Sequence, residues 1–211
     1  MSKVILFQGD SITDVGRNTE RGSQQSIGQG YALMVTGELG ARYPGQYTFE
    51  NRGISGNRIV DLYARIKVDC WNLEPDVISI LLGVNDVWHE FGSGNGVEAN
   101  RYENVYRMLI EDTLAKLPNV KFMLLEPFAL PGRATEGKWE EFYADVVKRS
   151  QIVQNLAKEY HLSYVPLQKK LEEVTTPELS DYWLGDGVHP TPAGHRLIAD
   201  AWLEVFQKDF A

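Results

Sequence analysis

Short apolar segments alternate along the chain with longer segments in which apolar residues recur every three or four positions. The short segments have the length and the nearly continuous hydrophobicity of strands that are buried on both faces of a sheet. They predict strands at residues 4–7, 47–50, 76–82, 120–125 and 162–165. The longer segments predict amphipathic helices at residues 31–43, 59–71, 99–117, 139–160 and 192–206.

The alternation of strands with helices predicts an α/β fold. Right-handed crossovers between successive strands place helices on both faces of a parallel sheet. A length of 211 residues suits one such domain, spanning residues 1–211. The last helix carries its own start signal, since Thr191 is placed to cap it and Pro192 occupies its first turn.

Composition excludes several classes of partner. The chain carries 21 basic and 29 acidic residues, a net charge of −8, and has no basic stripe. We therefore expect binding neither to a nucleic-acid backbone nor to an anionic membrane. No stretch approaches the roughly 20 apolar residues of a membrane span, and the first apolar segment is too short for a secretory signal peptide. These features favour a cytoplasmic protein without membrane insertion.

Cysteine and histidine usage argues against a metal site. Cys70 is the only cysteine, so the chain can form no internal disulfide and no cysteine-based zinc site. No cluster of residues has the spacing of metal ligands. We expect the protein to need neither a metal nor another cofactor.

Polar turns that contain glycine follow the first three strands, and another precedes the last helix. Ligands of open α/β sheets bind in the crevice beyond the carboxyl ends of the strands, where such turns meet. The four turns are residues 8–14, 51–57, 83–86 and 186–190. We expect them to form the functional site.

These turns hold the groups that acyl transfer requires. Ser11 can act as a nucleophile if a base removes its proton, and His189 is a candidate base. Asp186 can fix the tautomer of that histidine and stabilise its protonated form. An oxyanion can accept hydrogen bonds from the amides of Ser11 and Gly53 and from the side-chain amide of Asn85.

The four turns resemble, in order, the four sequence blocks of the GDSL, or SGNH, hydrolases. A single block such as Gly-Asp-Ser occurs often by chance, but four in order are a specific signal. Ile12 replaces the leucine of the family name, a conservative apolar change. The blocks are Gly9-Asp10-Ser11, Asn51-Arg52-Gly53-Ile54-Ser55-Gly56-Asn57, Gly83-Val84-Asn85-Asp86 and Asp186-Gly187-Val188-His189-Pro190.

The resemblance extends over residues 7–194, nearly the whole chain. It implies a flavodoxin-like three-layer α/β/α sandwich with a central, mostly parallel sheet of about five strands. It also implies that Ser11, Gly53, Asn85 and His189 carry the catalysis of a serine esterase, with Asp186 as the carboxylate of the triad.

Other polar and aromatic residues near the turns have less specific roles. Trp88, His89 and Trp183 are candidates for contacts with substrate, by stacking on a sugar or lining an acyl pocket, although core packing is the alternative. Asp10 and Asp86 are expected to be structural, the latter by holding its own turn. Two long polar loops, residues 13–30 and 127–138, are candidate functional segments, the second a possible lid.

The expected substrate is a small acyl ester, specifically an acetyl ester, with O-acetylated carbohydrate as the favoured class. No predicted helix has a long exposed apolar face for lipid docking, and residues 14–18 and 28–31 resemble a subgroup with carbohydrate acetylesterase-like members. A lysophospholipase or thioesterase acting on longer acyl chains is the alternative within the family. A non-catalytic flavodoxin-like binding module is a further alternative, although the chain lacks the glycine-rich nucleotide motifs.

Overall fold

A computed structural model of the chain describes residues 2–20, 23 and 25–210. Within them five strands form one sheet whose order is β2-β1-β3-β4-β5, with every neighbouring pair parallel. This is the flavodoxin-like strand order. The strands are β1 (Lys3–Gly9), β2 (Tyr47–Asn51), β3 (Val77–Leu81), β4 (Lys121–Leu125) and β5 (Ser163–Val165).

Helices occupy most of the connections between the strands. In the part of the chain that the structure describes, none of them is long and apolar enough to cross a membrane. They are α1 (Ser11–Asp14), α2 (Tyr31–Arg42), α3 (Ile59–Asp69), α4 (Val84–Ser93), α5 (Ala99–Lys116), α6 (Trp139–Glu159), α7 (Gln168–Val174), α8 (Ser180–Trp183) and α9 (Pro192–Asp209).

Alternation along each strand divides the core into two layers. In β1, Ile5 and Phe7 face one layer, and Leu6 faces the other. The first layer contains α2 and α9, whose Trp202 also donates a 2.9 Å hydrogen bond to Ser79 Oγ of β3. The second layer contains α3 and α5, represented by fully buried Leu62 and Leu109. The sheet is therefore covered on both faces, which confirms the expected three-layer sandwich.

The strands and long helices agree with the pattern-based predictions to within a few residues at each end. Thr191 caps α9 as predicted, with its Oγ1 accepting the Gly194 amide at 3.3 Å. Helix α4 was not predicted, although Val84, Val87, Trp88 and Phe91 recur at helical spacing, because residues 83–86 were interpreted as a polar turn. All four of its first residues, Val84 to Val87, are buried.

The strand order places the site at a topological switch point. The chain leaves β1 towards β2 on one side and returns to β3 on the other, so the carboxyl ends of β1 and β3 diverge and leave a crevice. Ser11 begins α1 directly after β1, and Asn85 lies in the first turn of α4 directly after β3. The fold thus brings the first and third polar turns together.

Candidate active site

Ser11 lies at the first position of a one-turn helix at the carboxyl edge of the sheet. Strand β1 ends at Gly9, and the next residue, Asp10, caps α1 by accepting the Ile12 amide on Oδ1 at 2.9 Å. Buried Ile12 anchors the turn in the core. The Ser11 side chain is consequently held at the rim of the crevice.

Ser11, His189 and Asp186 form a continuous chain of hydrogen bonds. Ser11 Oγ lies 2.8 Å from His189 Nε2, and His189 Nδ1 lies 2.8 Å from Asp186 Oδ2. Because a carboxylate faces Nδ1, that nitrogen carries the proton of the neutral ring and Nε2 is left to accept from the Ser11 hydroxyl. These three residues are separated by up to 178 positions in sequence, and the fold unites them as expected.

Hydrogen bonds keep Asp186 ionised. Burial alone would raise the pKa of this carboxyl, but its contacts with the His189 amide and ring and with the Val188 amide outweigh burial and lower the pKa. Oδ1 accepts the Val188 amide at 2.9 Å and the His189 amide at 2.8 Å. The carboxylate therefore fixes both the backbone and the ring of His189.

Residues 127–138, the segment named as a possible lid, contact the Asp186–His189 loop. Phe128, Ala129 and Leu130 are buried. The Leu130 amide donates to Gly187 O, and the Ala134 amide donates to Asp186 O, each at 2.9 Å. This segment is therefore built into the structure behind the acid–base loop.

The structure does not support Gly53 as an oxyanion donor. Its amide already donates to Asn51 Oδ1 at 2.9 Å. Gly53 itself is buried against the end of α1, where an added Cβ would lie 2.7 Å from the Asp14 amide nitrogen. The motif was correctly placed beside Ser11, but the expected donor within it faces away from the cavity.

Gly56, three residues later in the same motif, lies in the position that Gly53 was expected to fill. Gly56 and Asn85 both line the cavity around Ser11. Gly56 belongs to a turn closed by a 3.1 Å hydrogen bond from the Asn57 amide to Ile54 O. Among the described residues, no hydrogen-bond acceptor is found for the Gly56 amide.

Within the part of the chain that the structure describes, the Asn85 side chain has one hydrogen-bond partner: its Nδ2 donates to Asn57 O at 3.2 Å. This bond ties the third polar turn to the second. Because a side-chain amide carries two N–H donors, the other remains for a ligand. The amides of Ser11 and Gly56 together with Asn85 can thus provide three donors beside the Ser11 hydroxyl.

The cavity at Ser11 is open and has a volume of about 480 Å³. Its floor holds the Ser11–His189 pair, and one wall is α4. Trp88 of that wall lies with its ring centroid 5.5 Å from that of His189. The lining residues are Ser11, Ser55, Gly56, Asn85, Trp88, His89, Gly92, Ser93 and His189.

Of the three predicted substrate contacts, Trp88 and His89 line this cavity and Trp183 does not. Trp183 lines a separate groove with residues of α7 and α9, and its carbonyl accepts the Thr191 amide at 3.0 Å. Its closeness in sequence to Asp186 misled the prediction, because α8 ends at Trp183 and the chain turns before the loop.

Two buried carboxyl groups lie beneath the site. Burial raises the pKa of Asp10 to about 7 and that of Asp86 to about 8. Asp86 accepts the Ile59 amide at 3.0 Å, so it joins the starts of α3 and α4. Asp10 and Asp86 thus hold backbone amides in place, which is the structural role that the sequence predicted for them.

No group of three or more histidine, cysteine or acidic side chains in residues 2–20, 23 and 25–210 is arranged to hold a metal ion. Buried His195 accepts the Tyr31 amide on Nδ1 at 3.2 Å, and burial lowers its pKa to about 4. It is a neutral packing residue near the site. The arrangement as a whole is suited to activating a hydroxyl and binding an oxyanion.

Comparisons with known proteins agree with this chemistry. The sequence model of the GDSL-like lipase/acylhydrolase family matches residues 7–197. An acetylxylan esterase from Geobacillus stearothermophilus is 34% identical over 206 residues, which cover 94% of this chain and 91% of that protein. A catalytic mutant of an acetylxylan esterase from the same organism has a solved structure with a TM-score of 0.84 and 31% identity, covering 97% of this chain and 95% of that one.

A solved GDSL-like lipase from Parabacteroides merdae is also similar. Its TM-score is 0.92 at 37% identity, with 98% of this chain and 96% of that chain covered. Among the structures of the Geobacillus stearothermophilus esterase, three catalytic mutants replace a serine, an aspartate or a histidine by alanine. These are the three residue types that the fold unites around Ser11.

Proposed function

The chain belongs to the GDSL-like lipase/acylhydrolase family and is a serine carboxylic ester hydrolase; we propose that it removes acetyl groups from carbohydrate esters through Ser11, His189 and Asp186. The observation that carries the proposal is the hydrogen-bond chain from Asp186 through His189 to Ser11, with both side-chain distances at 2.8 Å, beside an open cavity.

In the proposed first step, Ser11 Oγ attacks the ester carbonyl carbon while His189 Nε2 takes the hydroxyl proton. The electron pair of the carbonyl moves to oxygen, and Asp186 stabilises the protonated imidazole. When the carbonyl re-forms, the bond to the alcohol breaks, and His189 returns the proton to the leaving oxygen. Ser11 then carries the acyl group.

In the second step, water replaces the alcohol. His189 takes a proton from the water as its oxygen attacks the acyl carbon, and the Ser11 oxygen leaves and recovers the proton. The products are the carboxylic acid and free enzyme. The same three residues serve both steps, so no other reactant is needed.

The oxyanion of each tetrahedral intermediate is proposed to bind the amides of Ser11 and Gly56 and Asn85 Nδ2. This set differs from the sequence-based one by Gly56 in place of Gly53, whose amide is engaged by Asn51. Removing one such donor from an enzyme typically lowers kcat by about 10²–10³-fold.

The shape of the cavity supports a small acyl group and a polar alcohol. It is an open crevice with polar positions at Ser55 and Ser93 and an aromatic face at Trp88, which suits a sugar ring better than a long acyl chain. The similarity to an acetylxylan esterase points to the same substrate class. Trp88 and His89 are the proposed contacts for the alcohol part.

A lysophospholipase or thioesterase activity on long acyl chains is the competing proposal. Hydrolysis rates on aryl esters with acyl chains of two to twelve carbons distinguish the two. A maximum at two carbons, together with release of acetate from acetylated oligosaccharides, is expected. A maximum at eight or more carbons would overturn the acetylesterase proposal.

Ser11→Ala tests the nucleophile itself. The variant is expected to lose at least about 10³-fold in kcat and to resist labelling by a serine-directed phosphonate, while keeping the wild-type melting temperature. Ser163→Ala, which removes a half-buried hydroxyl of β5 bonded to exposed Asp209, is the matched control with normal activity. Full activity of Ser11→Ala would show that the chain uses another nucleophile or acts only by binding.

A further inference from the structure

Hydrogen bonds hold the backbone of the segment that leads to Gly56, from Arg52 to Ile54. The Ile54 amide donates to Gly9 O at 3.0 Å, and Asn51 engages the Gly53 amide. Arg65 donates to Arg52 O at 2.9 Å. These bonds anchor the start of the segment to the sheet and to α3, but they stop before Ser55 and Gly56.

Asp14 holds the tip of the segment. Its Oδ2 accepts both the amide of Ser55 at 3.1 Å and the hydroxyl of Ser55 at 2.7 Å. Asp14 ends the one-turn helix that Ser11 begins, and its own amide donates to Asp10 O at 2.8 Å. One helical turn therefore carries both the Ser11 hydroxyl and the carboxylate that holds the residue before Gly56.

Arg17 adds a further contact between the Ser11 turn and residues 53–55. Its Nε donates to Gly53 O at 2.8 Å and lies 3.2 Å from Asp14 Oδ1, and its side chain is only 8% exposed. Withdrawing a guanidinium and a carboxylate from water is costly, and the cost is offset when each makes further hydrogen bonds. Here those further bonds all go to the backbone and side chain of residues 53–55.

We propose that Asp14 and Arg17 are positioning residues for ester hydrolysis, which hold the 53–56 turn so that the Gly56 amide points at the oxyanion formed on the Ser11 adduct. The proposal rests on the proposed function of the site. Oxyanion donors act by being aimed before the charge develops, and an error of about 1 Å in position can cost on the order of 10²-fold in rate.

Asp14→Ala is expected to lower kcat by roughly 10- to 100-fold and to leave KM within about twofold. We expect kcat to fall without a change in KM because the oxyanion exists only in the transition state and the intermediates. A misplaced donor therefore does not weaken binding of the substrate in its ground state. Asp14→Asn keeps an oxygen that can accept from Ser55 and should recover part of the loss. The measurement is steady-state kinetics on an aryl acetate.

A double-mutant cycle tests whether Asp14 acts through Ser55. Ser55→Ala removes only the hydroxyl bond and should give a smaller loss than Asp14→Ala. The double variant should lose less than the product of the two single losses, because both changes break the same contact. Asp200→Ala, which breaks an exposed ion pair with Arg196 on α9, is the control with unchanged kinetics.

Three results would overturn the proposal: a normal kcat in Asp14→Ala, a loss confined to KM, or independent effects of Asp14 and Ser55. If Asp14→Ala fails to fold, the milder Asp14→Asn and Ser55→Ala carry the test. Failure here is distinguishable from failure of the proposed function: an inactive Ser11→Ala beside a fully active Asp14→Ala rejects the positioning role and keeps the esterase mechanism.

Discussion

The strands of the sheet begin at its amino edge and end at its carboxyl edge, and each of these edges carries charged side chains and a cavity. The two differ in how the charged side chains are connected by hydrogen bonds. At the amino edge a cavity of about 210 Å³ is lined by residues that include Lys3, Asp76, Lys121 and Phe210. Asp76 is exposed and accepts the Val4 amide at 2.7 Å, and Lys121 Nζ lies 5.4 Å from the Phe210 ring centroid. In the described part of the chain, the side chains of Asp76 and Lys121 thus each make one contact with a neighbouring group and do not bond to each other.

At the carboxyl edge, by contrast, residues from three distant segments bond to one another across the crevice. Asp186, His189 and Ser11 form one chain, and Asp14 connects the Ser11 turn to Ser55. Helices begin at this edge, so free amides point towards the cavity and favour negative charge there. Polar side chains therefore bond to one another where the topology brings strand ends and helix starts together, and they make separate contacts at the opposite edge.

The largest difference in kcat between the two edges is expected for two carboxylates that both accept a backbone amide. Asp186→Asn is expected to lower kcat by about 10⁴-fold, because the amide favours the wrong tautomer of His189 and cannot stabilise its protonated ring. Asp76→Asn at the amino edge should leave kcat within about twofold, since it changes only a local contact with Val4. Kinetics on an aryl acetate measure both, and equal effects would remove the distinction between the edges.

A second test compares two glycines with positive φ. Gly187 has φ +93° beside Asp186, and an added Cβ would lie 2.6 Å from Leu130 O. Gly45 has φ +74° in the turn before β2, with open space around it. Strain at either site costs on the order of 1–3 kcal/mol, but only Gly187→Ala should also displace His189.

We therefore expect both glycine variants to lower the free energy of unfolding, and Gly187→Ala alone to lower kcat, by roughly 10- to 100-fold. Urea unfolding and steady-state kinetics on the same preparations check this. A normal kcat in Gly187→Ala would mean that the segment behind the Asp186–His189 loop does not position the base.

The sequence was sufficient to predict which turns meet at the carboxyl edge, and insufficient to predict which amide is free. The hydrophobic pattern alone predicts nearly continuous apolar strands such as β3 and long periodic helices such as α6. The spacing of a motif cannot show that Asn51 folds back onto the Gly53 amide, nor that Asp14 reaches Ser55 across 41 positions. Such contacts depend on side-chain directions that only the packed structure fixes.

A third test uses the buried carboxyls that distinguish the carboxyl edge. Burial raises the pKa of Asp10 to about 7 from an ordinary value of 3.8. The folded state therefore favours the protonated acid, and this stabilisation is complete below pH 3.8 and lost as the pH rises through 7. Asp10→Asn keeps an oxygen to accept the Ile12 amide and removes the titration.

Between pH 5 and pH 8 the wild type is expected to lose roughly 2–3 kcal/mol of unfolding free energy through Asp10, at about 1.4 kcal/mol per pH unit up to pH 7. Asp10→Asn should show a correspondingly smaller difference between the two pH values in urea unfolding. Asp86→Asn, at the other buried carboxyl, should also flatten the dependence. An unchanged slope in Asp10→Asn would show that this carboxyl is ionised throughout that range.

The smallest expected effect lies at the amino edge, where Lys121→Met removes the cation over the Phe210 ring and keeps the apolar stem. An exposed cation–π contact contributes about 0.5–1 kcal/mol, so the midpoint of urea unfolding should shift slightly and kcat should stay within about twofold. The reason is that Lys121 begins β4 at the edge opposite Ser11, with no hydrogen-bond link to the triad among the described residues. Larger kinetic changes would mean that the amino-edge cavity is coupled to the crevice through the sheet, and the two edges would then have to be treated as one functional unit.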